Sequence, residues 1–254
     1  MFVHLAMWLQ RWLGGAYGTL YRSFGRGLFE INDAKPLLGL ERPMINVAFS
    51  KLHSAGALVI FDRGKPRKYR LLDPSTLVLL MAGEFKGTEE QDRIPQERYT
   101  QLAFDALRVV RSRLGPVSFA VFGSVARGDA APRSDLDLLL VSDRFEGTLA
   151  SRIDRLGFAE EGAAEELAFL RDHGITPSLS FFPLRKEEVE ARPIILLDPS
   201  VNAKVLSDPG NVLGDALRGV RARLELAGAK RVTTPTGWYW DLKPDFREGE
   251  VVVV

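Results

Sequence analysis

The stretch that decides the fold runs from Phe119 to Ser142 and has the sequence FAVFGSVARGDAAPRSDLDLLLVS. It begins with an apolar run that ends in Gly123-Ser124, passes through a polar segment containing glycine and proline, and enters a second apolar run at Ser134-Asp135-Leu136-Asp137. Apolar runs bounded by turn residues are typical of strands. The stretch therefore predicts a strand, a Gly-Ser turn, a short helix or loop, and a second strand that begins with two carboxylates.

The two aspartates favour a cation-binding role. Successive strand side chains point to opposite faces, so Asp135 and Asp137 project from one face while the leucine between them faces the core. Two adjacent carboxylates repel each other, and a divalent ion such as Mg²⁺ relieves that repulsion while also binding substrate phosphates. Gly123 has no Cβ, so a phosphate can approach its backbone, and the N–H and hydroxyl of Ser124 can donate to phosphate oxygens. The structural alternative is an ordinary hairpin with an acidic turn.

The two motifs, Gly-Ser-x-Ala-Arg-Gly and Ser-Asp-x-Asp, resemble the signature of the DNA polymerase β-like nucleotidyltransferase superfamily, and of its minimal nucleotidyltransferase branch in particular. The resemblance implies a mixed sheet flanked by helices, Mg²⁺ (or Mn²⁺) as cofactor with two ions bound, and in-line attack on the α-phosphate of a nucleoside triphosphate with release of pyrophosphate. By that mapping Asp135 and Asp137 are the catalytic and metal-binding residues. The nucleotide-binding candidates are Gly123, Ser124, Arg127 and Ser134, of which the first two hold the β- and γ-phosphates.

The family pattern also includes a third carboxylate on a later strand, and this sequence lacks it at the expected place. The candidate strand, Ile175 to Phe182, has the sequence ITPSLSFF, and its polar residues are Thr176, Ser178 and Ser180. Hydroxyls bind divalent metals weakly and are poor bases at neutral pH. Catalysis is therefore expected to be weakened, lost or differently arranged. The candidate substitutes nearby, each more typical of a solvated surface charge, are Asp172, Glu187 and Asp208.

The composition is that of an ordinary soluble globular protein, with 46% hydrophobic and 26% charged residues in a chain of 254, long enough for two domains. The absence of cysteine excludes disulfides and cysteine-ligated zinc, and the His count of 3 argues against a His-rich metal site. The N-terminal segment lacks a basic leader and a cleavage site, and no apolar stretch has the length of a bilayer. We therefore expect a cytoplasmic protein with no membrane partner. Scarce Cys and Met beside abundant Arg and Glu weakly indicate a thermophile.

The net charge of +1 hides a division of the chain into two parts. Residues Met1 to Asp73 carry 11 Lys and Arg against 5 Asp and Glu, whereas the remainder carries 23 against 28. Such an asymmetry favours a basic, anion-seeking module joined to a near-neutral or acidic one.

The basic module shows helix patterns over 8–24, 30–38 and 43–55, and strand patterns over 57–61 and 68–72. Helices followed by a basic hairpin resemble a winged helix-turn-helix domain over Phe29 to Pro74, which implies DNA binding. Such modules also serve in protein docking or dimerisation, and a homodimer is expected on general grounds alone. The expected DNA contacts are Arg42, Asn46, Ser50 and Lys51 on the third helix, with Arg63, Lys65, Arg67 and Lys68 on the wing.

The chain divides into a winged helix-turn-helix domain over 1–75, a linker over 76–95, a nucleotidyltransferase domain over 96–200, and a C-terminal helix with an aromatic, β-forming tail over 201–254. Further helices are predicted over 75–81, 96–114, 149–156, 160–173 and 212–227. The tail, GWYWDLKPDFREGEVVVV, is similar to that of archaeal nucleotidyltransferase-like proteins that carry an N-terminal winged helix. Its Trp or Tyr side chains could stack on a base and Lys243 or Arg247 could reach a phosphate, but aromatic residues more often close a core. No catalytic role is therefore expected of it, and its Val-rich end is expected to be an interface strand.

Two functions are consistent with these features. The first is a Mg²⁺-dependent nucleotidyltransferase that moves a nucleoside monophosphate from a triphosphate to an acceptor and is brought to DNA by the winged helix. The second is a DNA-binding regulator whose nucleotidyltransferase fold binds nucleotide with weak turnover or none. An antitoxin-like module that acts on a partner protein is a third alternative.

Overall fold

The computed structural model describes residues 8–234 and 237–246, and the predicted Val-rich end lies outside them. The N-terminal part contains three helices followed by an antiparallel hairpin, and a single bridge joins Phe29 to Tyr69 of the second hairpin strand. This order agrees with the predicted helices and strands to within a few residues. The elements are α1 (Arg11–Phe24), α2 (Ile31–Leu38), α3 (Arg42–Ser54), β1 (Leu58–Asp62) and β2 (Lys68–Leu71).

The sequence of helix α3 explains where the helix begins and which of its faces is buried. Pro43 lies in its first turn, where a missing N–H costs nothing. One face is apolar and buried, including Ile45, Phe49 and Leu52, and packs against the other helices and β1. The opposite face is exposed to solvent, so α3 is an amphipathic helix with a free polar side.

The second part is built around a four-stranded mixed sheet. The strands are β3 (Ser118–Phe122), β4 (Leu136–Val141), β5 (Leu179–Leu184) and β6 (Lys204–Ser207), in the order β5-β4-β3-β6. Strands β4 and β5 are parallel, whereas β3 is antiparallel to both β4 and β6. The predicted fold class, an α/β chain with a mixed sheet flanked by helices, is confirmed. The helices are α4 (Pro74–Met81), α5 (Thr100–Leu114), α6 (Gly123–Arg127), α7 (Leu149–Asp154), α8 (Phe158–Gly162), α9 (Ala164–Asp172), α10 (Lys186–Glu190), α11 (Pro199–Asn202) and α12 (Val212–Leu226).

Both faces of the sheet are covered by apolar clusters. One cluster extends continuously from the N-terminal helices through α5 to one face of the sheet, so the two parts of the chain share a core. The other cluster lies between the opposite face, α10 and α12. A C-terminal hairpin of β7 (Lys230–Thr234) and β8 (Gly237–Asp241) adds Trp240 to this second cluster.

Buried charges also join the N-terminal module to the rest of the chain. Arg70 on β2 donates two hydrogen bonds to the Glu166 carboxylate of α9, one of them 2.7 Å long, and both side chains are almost fully buried. Arg26 pairs with Asp105 of α5. Because unpaired charges are costly in a core, these pairs fix the relative position of the helices and the hairpin that carry them.

The structure differs from the sequence prediction at several places: α10 and α11 were not predicted, β5 begins at Leu179 rather than Ile175, and three further differences concern α8 and α9, β6 and the linker. The helix predicted over 160–173 is divided into α8 and α9 at Ala163, where the close approach of Gly162 to Val109 of α5 leaves no room for a side chain. Strand β6 was not predicted. In the predicted linker, Phe85 and Ile94 are buried in the first core cluster, and α4 packs on α5. No helix in residues 8–234 and 237–246 is long and apolar enough to cross a membrane.

Candidate active site

The candidate site is formed where β3 ends and β4 begins. Antiparallel pairing places Phe122, the last residue of β3, opposite Asp137 of β4. The chain then enters α6 at Gly123-Ser124, so the Gly-Ser turn lies next to the second aspartate. The predicted strand, turn, short helix and strand are confirmed.

Gly123 is required by this arrangement. Its φ is +68°, in the left-handed region that side chains disfavour. A Cβ at this position would overlap a carboxylate oxygen of Asp137 and lie 3.0 Å from its Cγ. The glycine therefore provides the space into which the Asp137 carboxylate extends.

The neighbouring strand contributes hydroxyls at the two aspartates. Strand β5 is in parallel register with β4, with Ser180 beside Asp137. The Ser178 hydroxyl donates to the Asp135 carboxylate. The backbone carbonyl of Ser178 accepts a hydrogen bond from the Leu136 N–H at 2.9 Å. Two neutral hydroxyls thus stand beside the aspartates, that of Ser180 on β5 and that of Ser178 one residue before it, where the family resemblance implies a third carboxylate.

The electrostatics of the site centre on Asp137. Burial raises the pKa of Asp137, and the negative charges of Asp135 and Asp198 raise it further, whereas a hydrogen bond from Ser180 and the charge of Arg127 lower it. The net effect is a raised pKa, and burial is its largest cause. A bound cation would favour the ionised form of this buried carboxylate and offset its repulsion with Asp135.

Arg127 lies at the end of α6 and is held by several groups. Its Nη1 donates to Asp198 at 2.9 Å, and its Nε donates to Asp129 at 3.2 Å. Its guanidinium lies 5.6 Å from the centre of the Trp238 ring on the C-terminal hairpin. This predicted nucleotide-binding residue therefore faces the site but is already engaged by carboxylates.

Asp198 is a site residue that sequence reasoning missed. It precedes α11 in an Asp-Pro pair, a common helix-start pattern that gives no indication of a contact with Arg127 71 residues earlier. The three carboxylates that could replace the missing third carboxylate lie in other surroundings. Asp208 accepts from the Ser118 hydroxyl and the Leu213 and Gly214 N–H groups, Glu187 lies within reach of Arg185, and Asp172 is exposed at the end of α9.

Ser134, the remaining nucleotide-binding candidate, closes the loop that leads to Asp135. Its hydroxyl accepts from the Ala131 N–H at 2.9 Å, and its own N–H donates to the Ala131 carbonyl at 3.0 Å. The same loop is held from outside by Gln96, whose side-chain amide exchanges two hydrogen bonds with the backbone of Ala130. Ser134 thus supports the position of Asp135 through the loop.

The donor set suits one divalent ion. Within residues 8–234 and 237–246 there is no cluster of three or more metal-ligating side chains. The predicted metal-binding carboxylates at this site are the two aspartates, Asp135 and Asp137. Mg²⁺ commonly uses one or two carboxylates and completes its shell with water and substrate phosphates, and two carboxylates near each other fit such an ion. A second ion would have to share the same two carboxylates, because Ser178 and Ser180 offer only neutral hydroxyls.

The predicted DNA-contacting residues lie on exposed surfaces of the N-terminal module. Lys51 lies 5.8 Å from the Trp12 ring centre, and Arg63 forms an ion pair with Glu97 at 3.2 Å, which turns it toward the second part of the chain. The others lie on the free face of α3 and at the wing tip, namely Arg42, Asn46, Ser50, Lys65, Arg67 and Lys68.

Comparison with protein families gives one match, in the central part of the chain. Residues 105–196 match the family model described as Nucleotidyltransferase domain. The matched segment runs from α5 past β5 and includes the Gly-Ser turn, both aspartates and the two serines, but not the N-terminal module or the C-terminal hairpin. No curated protein and no solved structure matches the chain. The match supports the nucleotidyltransferase superfamily for this segment and, with it, a general nucleotidyl-transfer function.

Proposed function

We propose that the protein is a Mg²⁺-dependent nucleotidyltransferase that moves a nucleoside monophosphate from a nucleoside triphosphate to an acceptor and associates with DNA through its N-terminal module. The observation that supports it most is the fit between Gly123 and Asp137. A glycine with a positive φ lies against a half-buried aspartate, beside a serine and next to a second aspartate, within the segment that matches the nucleotidyltransferase family.

The chemistry assigned to the residues follows from their types. Asp135 and Asp137 would hold Mg²⁺ (or Mn²⁺), which when bound neutralises phosphate charge. The Gly123 backbone admits the phosphate chain, and the N–H and hydroxyl of Ser124 donate to its oxygens. An acceptor hydroxyl would then attack the α-phosphorus and lose its proton to water. The bond from that phosphorus to the bridging oxygen would break, and pyrophosphate would leave.

A second function is supported by Ser178 and Ser180. A carboxylate on β5 would accept the proton of the attacking group, and neutral hydroxyls are poor bases at pH 7. A protein with this donor set would bind nucleotide while turning it over slowly or not at all. It would then act as a DNA-binding regulator that responds to nucleotide.

Label transfer distinguishes the two functions. Each α-labelled nucleoside triphosphate is incubated with the protein, Mg²⁺ or Mn²⁺, and a mixture of nucleic-acid and protein acceptors, with the Asp135→Asn/Asp137→Asn double variant as control. Transfer and pyrophosphate release that require the aspartates support the enzyme. Nucleotide binding that requires the aspartates, without transfer, supports the regulator. Failure to bind any nucleotide contradicts both.

Ser180→Asp provides a further test, because it restores a carboxylate beside Asp137. If the missing base limits turnover, this variant transfers label faster than the wild-type protein at equal nucleotide occupancy. Ser151→Asp, at a partly exposed serine of α7 outside the candidate site, is the control for the added charge. Equal rates in all three proteins would show that the hydroxyl does not limit transfer.

The DNA-binding part of the proposal is supported by the exposed basic wing. The triple variant Lys65→Ala/Arg67→Ala/Lys68→Ala should weaken binding to duplexes of any sequence. It should also reduce the slope of log affinity against log salt by about 0.9 for each lost phosphate contact, hence by up to about 3. The control is a triple alanine variant that removes three exposed cations elsewhere, namely Arg155, Arg171 and Lys230. If both triple variants give the same slope of log affinity against log salt, the wing does not contact DNA.

A further inference from the structure

We propose that Arg231, on the C-terminal hairpin, is a second triphosphate-binding residue, positioned by Trp238 beside the Gly-Ser turn. The inference rests on the proposed nucleotidyltransferase function. It assigns a substrate contact to Arg231, a residue that the sequence analysis did not single out and that lies outside the matched family segment.

The first step is the orientation of the hairpin. Side chains of directly paired residues in antiparallel strands share a face. The pairs Arg231–Trp240 and Thr233–Trp238 therefore define one face, and Val232–Tyr239 belongs to the other. Trp240 packs against the second core cluster, whereas Tyr239 is 53% exposed. Arg231 thus shares a face with both tryptophans, and its own side chain is exposed to solvent.

The second step is the chain of contacts from Arg231 to the site. The Arg231 guanidinium lies 4.1 Å from the centre of the Trp238 ring, and the Arg127 guanidinium lies 5.6 Å from the same centre. Arg127 follows the Gly-Ser turn by three residues, and its charge acts on Asp137. One indole ring therefore holds two guanidinium groups at the edge of the candidate site, since cations are attracted to an indole.

The third step is the difference in charge balance between the two arginines. Arg127 is matched by Asp198 and Asp129. No carboxylate within residues 8–234 and 237–246 pairs with Arg231, whose contact is the Trp238 ring. A triphosphate that approaches Asp135 and Asp137 brings several negative charges into a region already rich in carboxylates. A guanidinium with no carboxylate partner at that edge is suited to bind phosphate oxygens.

The experiment measures equilibrium binding of each nucleoside triphosphate with Mg²⁺, and of the monophosphate that corresponds to the tightest of them. Arg231→Ala should weaken triphosphate binding by about tenfold or more, because a charge-assisted hydrogen bond is lost, and should leave monophosphate binding within about twofold. Lys230→Ala is the matched control, because it removes one positive charge from the adjacent position on the opposite face. It should change neither affinity by more than about twofold.

Trp238 variants separate a positioning role from a structural one. Trp238→Phe retains an aromatic platform and should retain most of the triphosphate affinity, whereas Trp238→Ala should resemble Arg231→Ala. Circular dichroism and thermal unfolding check that the hairpin variants remain folded. Equal effects of Arg231→Ala and Lys230→Ala on triphosphate binding, or an equal loss of monophosphate binding, would overturn the proposal while leaving the nucleotidyltransferase function intact. A wild-type protein that binds none of the triphosphates would overturn both.

Discussion

Replacement of Gly123 by alanine tests the packing on which the candidate site depends. The added methyl group would meet two obstacles, a φ of +68° and the Asp137 carboxylate. A left-handed conformation costs a residue with a side chain about 1 to 2 kcal/mol. Displacement of the carboxylate would also remove its hydrogen bond with Ser180, which contributes about 1 kcal/mol. We expect Gly123→Ala to reduce the free energy of unfolding by about 2 to 3 kcal/mol in total.

Gly174→Ala separates the two contributions. Gly174 has a φ of +76°, but a Cβ there would have no atom within 4 Å. This control should therefore lose only the backbone contribution, about 1 to 2 kcal/mol, and bind nucleotide normally. Urea denaturation of both variants gives the free energies, and binding of Mg²⁺ with triphosphate gives the functional effect. If Gly123→Ala binds triphosphate as tightly as Gly174→Ala and is no less stable, the proposed contact between Gly123 and Asp137 is wrong.

The remaining predictions concern stability. Glu166→Gln leaves the buried Arg70 guanidinium without its ionic partner and should lower the free energy of unfolding by about 3 to 5 kcal/mol in urea denaturation. Hydrogen bonding from Arg152 lowers the pKa of Glu188 to about 2, below its ordinary 4.5. Because the folded pKa is depressed, the stability from this pair is complete above pH 4.5 and is lost toward pH 2. The loss should be about 2 kcal/mol after allowance for partial exposure, and Glu188→Gln should abolish that pH dependence. Glu97→Ala removes the acceptor for three groups of the N-terminal module and should cost about 2 kcal/mol, measured by thermal unfolding against a Glu89→Ala control.

The sequence predicted the elements that local chemistry specifies. A short apolar run next to Gly123 requires a strand and a tight turn, and the alternation around Leu136 places both aspartates on one face. The amphipathic pattern of α3 was equally visible because it repeats within a few residues. These features need no knowledge of distant parts of the chain. The position of β5 could be approximated for the same reason, since most of its residues are apolar.

The contacts between distant segments could not be obtained in this way. Asp198 reaches Arg127 because α11 packs on α6, and Trp238 reaches it because the hairpin lies on the second core cluster. Strand β6 carries Lys204 and a serine among few apolar residues, so its pattern resembles that of a loop until pairing with β3 supplies its hydrogen bonds. Tertiary packing decides each of these positions, and a single sequence contains little information about it.

Arg63 on the wing is linked to the candidate active site through the turn over 96–99. For this reason it is not replaced in the triple variant Lys65→Ala/Arg67→Ala/Lys68→Ala. Gln96 holds the loop that leads to Asp135 through two hydrogen bonds with Ala130. The next residue, Glu97, accepts from the Arg63 guanidinium and from the backbone of β1. Removal of Arg63 would therefore alter a turn that also supports the candidate active site, and a loss of DNA binding could arise from that change. The wing-tip cations have no such link, so their replacement measures the contribution of the wing to DNA binding alone.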